Sequence, residues 1–162
     1  MNNWYRFRLG GLNSHLILTL MKDFENFGDI NKKDLIELNY SKETIDSISS
    51  LLEIDLEDEK EKYKRNKVRI LSYNSDEYPR MLKEISNPPP FLYVKGNGDF
   101  SNKSLAVVGT RKISSYGKLA CDKIVSGFNN KGITIVSGLA LGVDTYAHEI
   151  ALKGNSSVIG VV

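Results

Sequence analysis

LAVVGTRKISSYGKLACDKIVSGFNNKGITIVSGLALGVDTYAHEIALKGNSSVIGVV, residues 105–162, decides the fold of this chain. Leu105 to Val108 is a continuous apolar run that stops at Gly109, which reads as a strand buried on both faces. Ser115 is placed to cap a helix carrying Leu119, Ala120, Ile124 and Phe128 on one face, and Asn130 with Gly132 closes it. Ile133 to Val136 is a second buried strand ending in Ser137-Gly138. Asp144 is placed to cap a helix with Ala147, Ile150 and Ala151, Gly154 ends that helix, and Val158 to Val162 is a third strand. Strand, helix, strand, helix, strand predicts parallel pairing with right-handed crossovers, the first half of a doubly wound, Rossmann-like α/β sheet. Because Val162 falls inside the third strand, the sequence is expected to be part of a longer protein.

Upstream the periodicity is helical. Ser14 is expected to cap a helix with Leu16, Leu20, Phe24 and Phe27 at three- and four-residue steps, ended by Gly28. Asp34 to Leu38 predicts a short second helix, and Ser41 caps a third in which Ile45, Ile48, Leu51 and Leu52 share a face. The stretch Glu53 to Arg69 is almost wholly charged, and Asn87-Pro88-Pro89-Pro90 is stiff and extended, so both read as connections. Between them Val68 to Ser72 predicts a short strand, Tyr78 to Ile85 a helical turn, and Phe91 to Val94 another strand. The expected organisation is a small helical domain (SAM-like or helix-hairpin-like) over residues 1–66, then an extended Rossmann-like domain over 67–162 that is incomplete on its carboxyl-terminal side.

The chain has 162 residues, 41% hydrophobic and 26% charged, enough for one ordinary core or two small ones. No apolar run approaches the roughly 20 residues that span a bilayer, and the start, with Trp4, Tyr5 and Phe7 among charges, lacks the apolar segment of a signal peptide. The single cysteine, Cys121, has no internal partner and agrees with a reducing cytoplasm. The net charge of +2 is small, yet residues 101–162 hold 7 Lys and Arg against 3 acidic residues, whereas residues 1–100 hold 15 against 17.

Ligands of open parallel sheets bind beyond the carboxyl ends of the strands. Those ends are Gly109-Thr110-Arg111-Lys112 and Ser137-Gly138-Leu139-Ala140-Leu141-Gly142, both preceding helices whose free N–H groups and positive dipole ends favour an anion. Thr110 and Ser137 add hydroxyls, and Arg111 adds a fork matched to a phosphate. The plainer alternative is that the glycines are turn residues and Arg111 is a solvated surface cation. The dinucleotide fingerprint is not met and there is no Walker A lysine loop, so no nucleotide cofactor is implied. His15, His148 and Cys121 make no metal set, and no nucleophile has an evident base, so no catalytic residue is assigned. Asp144 is most simply a helix cap, with His148 its i+4 partner or part of the crevice rim. Cys121 is expected at the core or its boundary.

Tyr78-Pro79-x-x-Leu82, Pro89 to Gly96, Val107-Val108-Gly109-Thr110-Arg111, Ser115-Tyr116-Gly117, Val136 to Ala140, Gly142-Val143-Asp144 and Ala147-His148 form an ordered series. Over residues 78–162 that series resembles the DNA-processing protein A (DprA/Smf) family; residues 1–66 fit its helical amino-terminal domain by position and character. The resemblance implies a cytoplasmic protein that coats incoming single-stranded DNA in natural transformation and competence and helps load the RecA recombinase. It implies a binding protein, not an enzyme, and a homodimer when full length. Carried over by motif, Gly109, Thr110, Arg111 and Lys112 would grip phosphate, with Arg111 the main ligand, and Ser137-Gly138 would form the neighbouring anion loop. The rest of the sheet, further DNA-contacting basic residues, the dimer surface and any winged helix would lie beyond Val162. The rival reading is a Rossmann-like enzyme or sensor acting on nucleoside phosphates.

Overall fold

The computed structural model describes residues 2–97 and 100–162, so Met1, the first residue of the expected helical domain, lies outside the described residues. The chain separates into two compact units, Met1–Phe100 and Ser101–Val162.

The first unit begins with a helix that periodicity did not reveal. Helix α1, Tyr5–Leu9, is only five residues long, yet it carries Tyr5 and Phe7 into the core, with Trp4 buried beside them. An element this short has no stability of its own; burial of its aromatic rings holds it. Helix α2, Ser14–Asp23, is capped by Asn13 and not by Ser14: the Asn13 side chain accepts from the Leu16 N–H. The chain leaves the helix at Phe24, which is extended, so Phe27 reaches the core from a separate 3-10 turn, Phe27–Asp29. Gly28 therefore sits inside that turn instead of ending α2. Ile17, Leu18, Leu20 and Met21 form the buried face. Helix α3, Lys32–Glu37, starts from Asn31, and α4, Lys42–Leu51, starts from the expected Ser41, whose hydroxyl accepts from Thr44 N–H.

The charged stretch read as a connection contains a helix, α5, Glu57–Arg65. Acidic residues occupy its first turn and Lys62, Lys64 and Arg65 its last, the order that complements the helix dipole. Composition pointed to a loop; the ordering of charges was the overlooked signal. Strand β1, Val68–Ser72, follows, then a helical turn α6, Arg80–Lys83, and strand β2, Phe91–Lys95. β1 and β2 pair antiparallel, with Ile70 opposite Tyr93 and Ser72 opposite Phe91. This ribbon belongs to the first unit: Phe91 lies in one cluster with Trp4, Phe7, Ile17, Leu20, Leu35, Ile48 and Leu56. The boundary expected at residues 66 and 67 thus falls within that unit.

The second unit is the predicted α/β layer. Strands β3 (Ser104–Ala106), β4 (Thr134–Ser137) and β5 (Val158–Gly160) form a parallel sheet in that order, with Leu105 opposite Ile135 and Val136 opposite Ile159. Helices α7, Ser115–Ser126, and α8, Val143–Lys153, pack together over a core of Cys121, Val125, Ile135, Ala147, Ile150 and Ala151. Helix α7 is capped by Ser114, one residue before the expected Ser115. It also turns a different face inward: Cys121 and Val125 are buried, whereas Leu119 and Ile124 stand 68% and 54% exposed. The residues one position along from the predicted stripe make the contact, because a neighbouring helix as well as the sheet sets the rotation of α7.

Burial raises the pKa of the Cys121 thiol, with Asp122 adding to the effect. Native Cys121 is accordingly expected to react with iodoacetamide at pH 8 at least ten times more slowly than in the urea-unfolded chain, since the thiolate is the nucleophile. Equal rates, read by mass spectrometry, would place the thiol outside the core.

Candidate nucleic-acid interface

The two loops at the carboxyl ends of β3 and β4 are fastened to each other. Val107 N–H donates to the Val136 carbonyl (2.9 Å), and the Ser137 hydroxyl donates to the Val107 carbonyl (2.6 Å). Farther out, Val143 N–H donates to the Thr110 carbonyl (3.1 Å). Gly142 makes this approach possible. It has φ 90° and ψ −121°, and a Cβ there would lie 2.3 Å from the Thr110 carbonyl oxygen and 2.5 Å from that of Arg111. Gly109 sits against the Val143 side chain in the same seam, where a Cβ would meet it at 2.7 Å. The structure therefore holds Gly109 to Lys112 rigidly although all four residues are exposed.

Within that loop the Thr110 side chain is used locally, its hydroxyl oxygen accepting from Lys112 N–H (3.1 Å). Among the described residues, the backbone N–H groups of Gly109, Thr110 and Arg111 have no acceptor, and the Arg111 guanidinium forms no ion pair. Just beyond, Ser114 Oγ accepts from Gly117 N–H (3.1 Å), while the N–H groups of Ser115 and Tyr116 at the start of α7 have no acceptor among the described residues. One exposed strand end thus presents free donors and a free guanidinium, a combination suited to an anion.

The second loop is differently disposed. Ser137 is buried and its hydroxyl is committed to Val107, while Gly138 N–H donates to Asp144 Oδ2 (3.1 Å). Asp144 makes no cap bond at its own helix start; α8 begins from Gly142, and Thr145 N–H is taken by the Ala140 carbonyl (3.1 Å). The cap expected from Asp144 is replaced by a tie across the loop, because Gly142 delivers the chain into α8 too close to the Thr110 carbonyl to need one. His148, one turn along α8, is buried, and its Nε2 has no hydrogen-bond partner. Arg111 does not pair with Asp144. Sequence reasoning missed the fastening roles of Gly142, Val143 and Asp144; the only trace was a glycine directly before a helix that has Asp at its second position. No group of three or more His, Cys, Asp or Glu side chains with metal-binding geometry occurs among the described residues.

The family described as DNA recombination-mediator protein A matches residues 69–162. The chain belongs to that family. Among similar proteins, DNA processing protein DprA of Streptococcus pneumoniae is 31% identical over 160 residues, which is 98% of this chain and 56% of that protein. Protein Smf of Borreliella burgdorferi is 34% identical over 142 residues, 86% of this chain and 45% of the relative. DNA processing protein DprA of Bacillus subtilis is 34% identical over 102 residues, 62% of this chain and 34% of the relative. The X-ray structure of the pneumococcal DprA superposes with a TM-score of 0.74 at 30% identity, covering 99% of this chain and 57% of that one. The chain thus spans about a third to just over half of the length of these relatives. Membership of a DNA-processing family of recombination is shown, and the parallel sheet agrees with the Rossmann-like expectation. Among the described residues, no helix is long and apolar enough to cross a membrane.

Proposed function

We propose that this chain is a single-stranded DNA binder that grips backbone phosphate with the Gly109–Lys112 loop, Arg111 being the principal ligand. The observation that carries the proposal is the unpaired Arg111 guanidinium on a rigid, exposed loop whose own N–H groups lack acceptors. Ser137 and Gly138 support the loop from below; their polar groups are already engaged, so they act by shaping the site. In the full-length, dimeric protein the strand so held is protected and handed to the RecA recombinase in the cytoplasm during natural transformation. The role is one of binding, without catalysis and without a cofactor.

Arg111→Ala is expected to weaken binding of a labelled oligothymidine by about ten- to a hundredfold, as charge-assisted bonds contribute roughly 1.5–3 kcal/mol. The melting temperature should be unchanged, and the loss should be the same for every base sequence, because phosphate carries no base identity. Arg111→Lys restores binding only in part, keeping charge and losing the fork. A lowered melting temperature with undiminished affinity would sink the assignment. Tighter binding of free nucleoside phosphates than of oligonucleotide would favour the nucleotide-enzyme reading instead.

Asp144→Asn gives a second handle. Its amide oxygen still accepts from Gly138 N–H while the negative charge near the loop is removed. Single-strand affinity at low salt is expected to rise a few-fold, and a fall would show that the carboxylate's charge is not opposed to the ligand.

A further inference from the structure

The end of α5 and the start of β1 carry a feature that the Arg111 loop does not use. A groove of about 390 Å³ is lined by Lys60, Tyr63, Lys64, Val68, Arg69 and Ile70. Residues 62–69 contain five cations and no carboxylate. Some are internally paired: Lys60 with Glu57, Lys62 with Glu59 and Arg69 with Glu77. Lys64, Arg65 and Lys67 form no ion pair among the described residues, nor does Lys95, which stands opposite Val68 on β2. A helix dipole accounts for cations in the last turn of α5. It does not account for Lys67 and Lys95, which lie beyond the helix. Lys67 is held in the left-handed region at φ 54°, where the chain turns from α5 into β1.

Beside these charges are two aromatic rings in an unusual posture. Tyr63 and Tyr93 lie with centroids 5.7 Å apart and planes tilted by 38°. An exposed tyrosine ordinarily buries its ring and keeps its hydroxyl in water. Here Tyr93 is 49% exposed, yet its hydroxyl is bonded to that of Tyr5 (2.8 Å), which is only 2% exposed. Tyr63 bonds the same buried hydroxyl (3.0 Å). The polar tips are turned to the interior; ring carbon of Tyr93 is left to solvent with the unpaired Lys95 two residues along the same strand, while Lys62 Nζ stands over the partly buried Tyr63 ring at 5.5 Å. Ring surface next to a cationic track is the arrangement by which proteins hold single strands without reading their sequence.

We propose that the groove between α5 and β1, together with the adjoining edge of β2, is a second single-stranded nucleic-acid contact, separate from the Arg111 loop: Tyr63 and Lys64 of the groove wall and Tyr93 and Lys95, opposite Ile70 and Val68, offer a stacking surface and phosphate partners, with Lys67 at the turn between α5 and β1. Tyr5 is a positioning residue that fixes both rings.

The test uses the 162-residue chain and a labelled oligothymidine of about 16 nucleotides, long enough for one such track. In an Arg111→Ala background, Lys64→Glu with Lys67→Glu is expected to lower affinity by a further tenfold or more. It should also reduce the slope of log affinity against log salt by about 1.4, two phosphate contacts at about 0.7 each. Tyr93→Leu should weaken binding about five- to tenfold, whereas Tyr93→Phe, which keeps the ring and loses only the bond to the Tyr5 hydroxyl, should weaken it by no more than about twofold. Because Lys64 and Lys67 are exposed, their variants should melt within a few degrees of the parent, the reversed charge in the last turn of α5 accounting for the difference. If groove variants matter and Arg111→Ala does not, this contact stands and the Arg111 reading falls. The proposal is overturned if Arg111→Ala alone abolishes binding, if the charge-reversed variant binds as tightly as its parent, or if polyglutamate displaces the oligonucleotide as well as unlabelled oligothymidine does.

Discussion

Gly142→Ala is expected to lower the melting temperature of the second unit by 10 °C or more and to abolish the arrangement of the Arg111 loop. Two costs add. The φ of 90° with ψ −121° is a conformation in which an L side chain is strained by roughly 1–3 kcal/mol. The new methyl would also lie 2.3 Å from the Thr110 carbonyl and 2.5 Å from that of Arg111. Those are backbone atoms, which cannot rotate away as a side-chain end can, so overpacking adds a further ~1–3 kcal/mol. Relief requires parting the two strand-end loops, which breaks the Val143 to Thr110 bond and frees Arg111 from its fixed position. Gly132→Ala is the matched control: φ is 67°, but nothing lies within 4 Å of the added methyl. It should cost only the conformational part, ~1–2 kcal/mol. Thermal melts of both variants decide the matter, and equal losses would show that the close approach contributes nothing.

Phe7→Ala should have an effect of similar size in the first unit. The ring is fully buried on a five-residue helix and meets Trp4 at 6.0 Å edge-on and Phe27 at 5.4 Å. Removing a buried phenylalanine costs about 3–5 kcal/mol in lost burial and cavity formation. At about 4–8 °C per kcal/mol for a domain of 60–100 residues, the expected drop in melting temperature exceeds 10 °C. Leu9→Ala, on the same helix but 39% exposed, should shift it by little. A mild Phe7 phenotype would mean that α1 is peripheral to the core. Far-ultraviolet circular dichroism during thermal unfolding supplies the measurement.

The parts of the fold that were legible in the sequence are those whose signal is local. Continuous apolar runs bounded by glycine marked β3, β4 and β5, although only β4 is buried as the runs imply, Val108 and Val162 at the ends of the other two standing exposed; Ser41 marked the start of α4, because capping acts over a few residues. What escaped was decided by partners distant in sequence. Helix α1 is too short for periodicity and exists through Phe91, Phe27 and the rest of its cluster. The rotation of α7 is set by α8, so the apolar residues that pattern alone selected, Leu119 and Ile124, face outward. At the candidate site, Gly109 to Lys112 could be singled out from strand order. The engagement of Gly138 by Asp144 could not, since an aspartate at a helix start serves equally as a cap or as a tie to another loop. Helix α5 was hidden by a composition that reads as linker, although the order of its charges is that of a helix.

Trp4, the single tryptophan of the chain, lies in the core of the first unit against Phe7 and Phe27. Its fluorescence is therefore a private reporter of that unit and is silent about the sheet that carries Arg111. Native emission will look undisturbed in any variant that melts only the second half of the molecule, so a variant judged intact by tryptophan fluorescence alone can still have lost the fold of its Arg111 loop. The same silence is useful. Emission followed beside the accessibility of Cys121 to a thiol reagent, in the other core, separates one cooperative transition from two without any engineered reporter residue. Coincident midpoints mean the units share their stability, and distinct midpoints assign each loss to its own half of the chain.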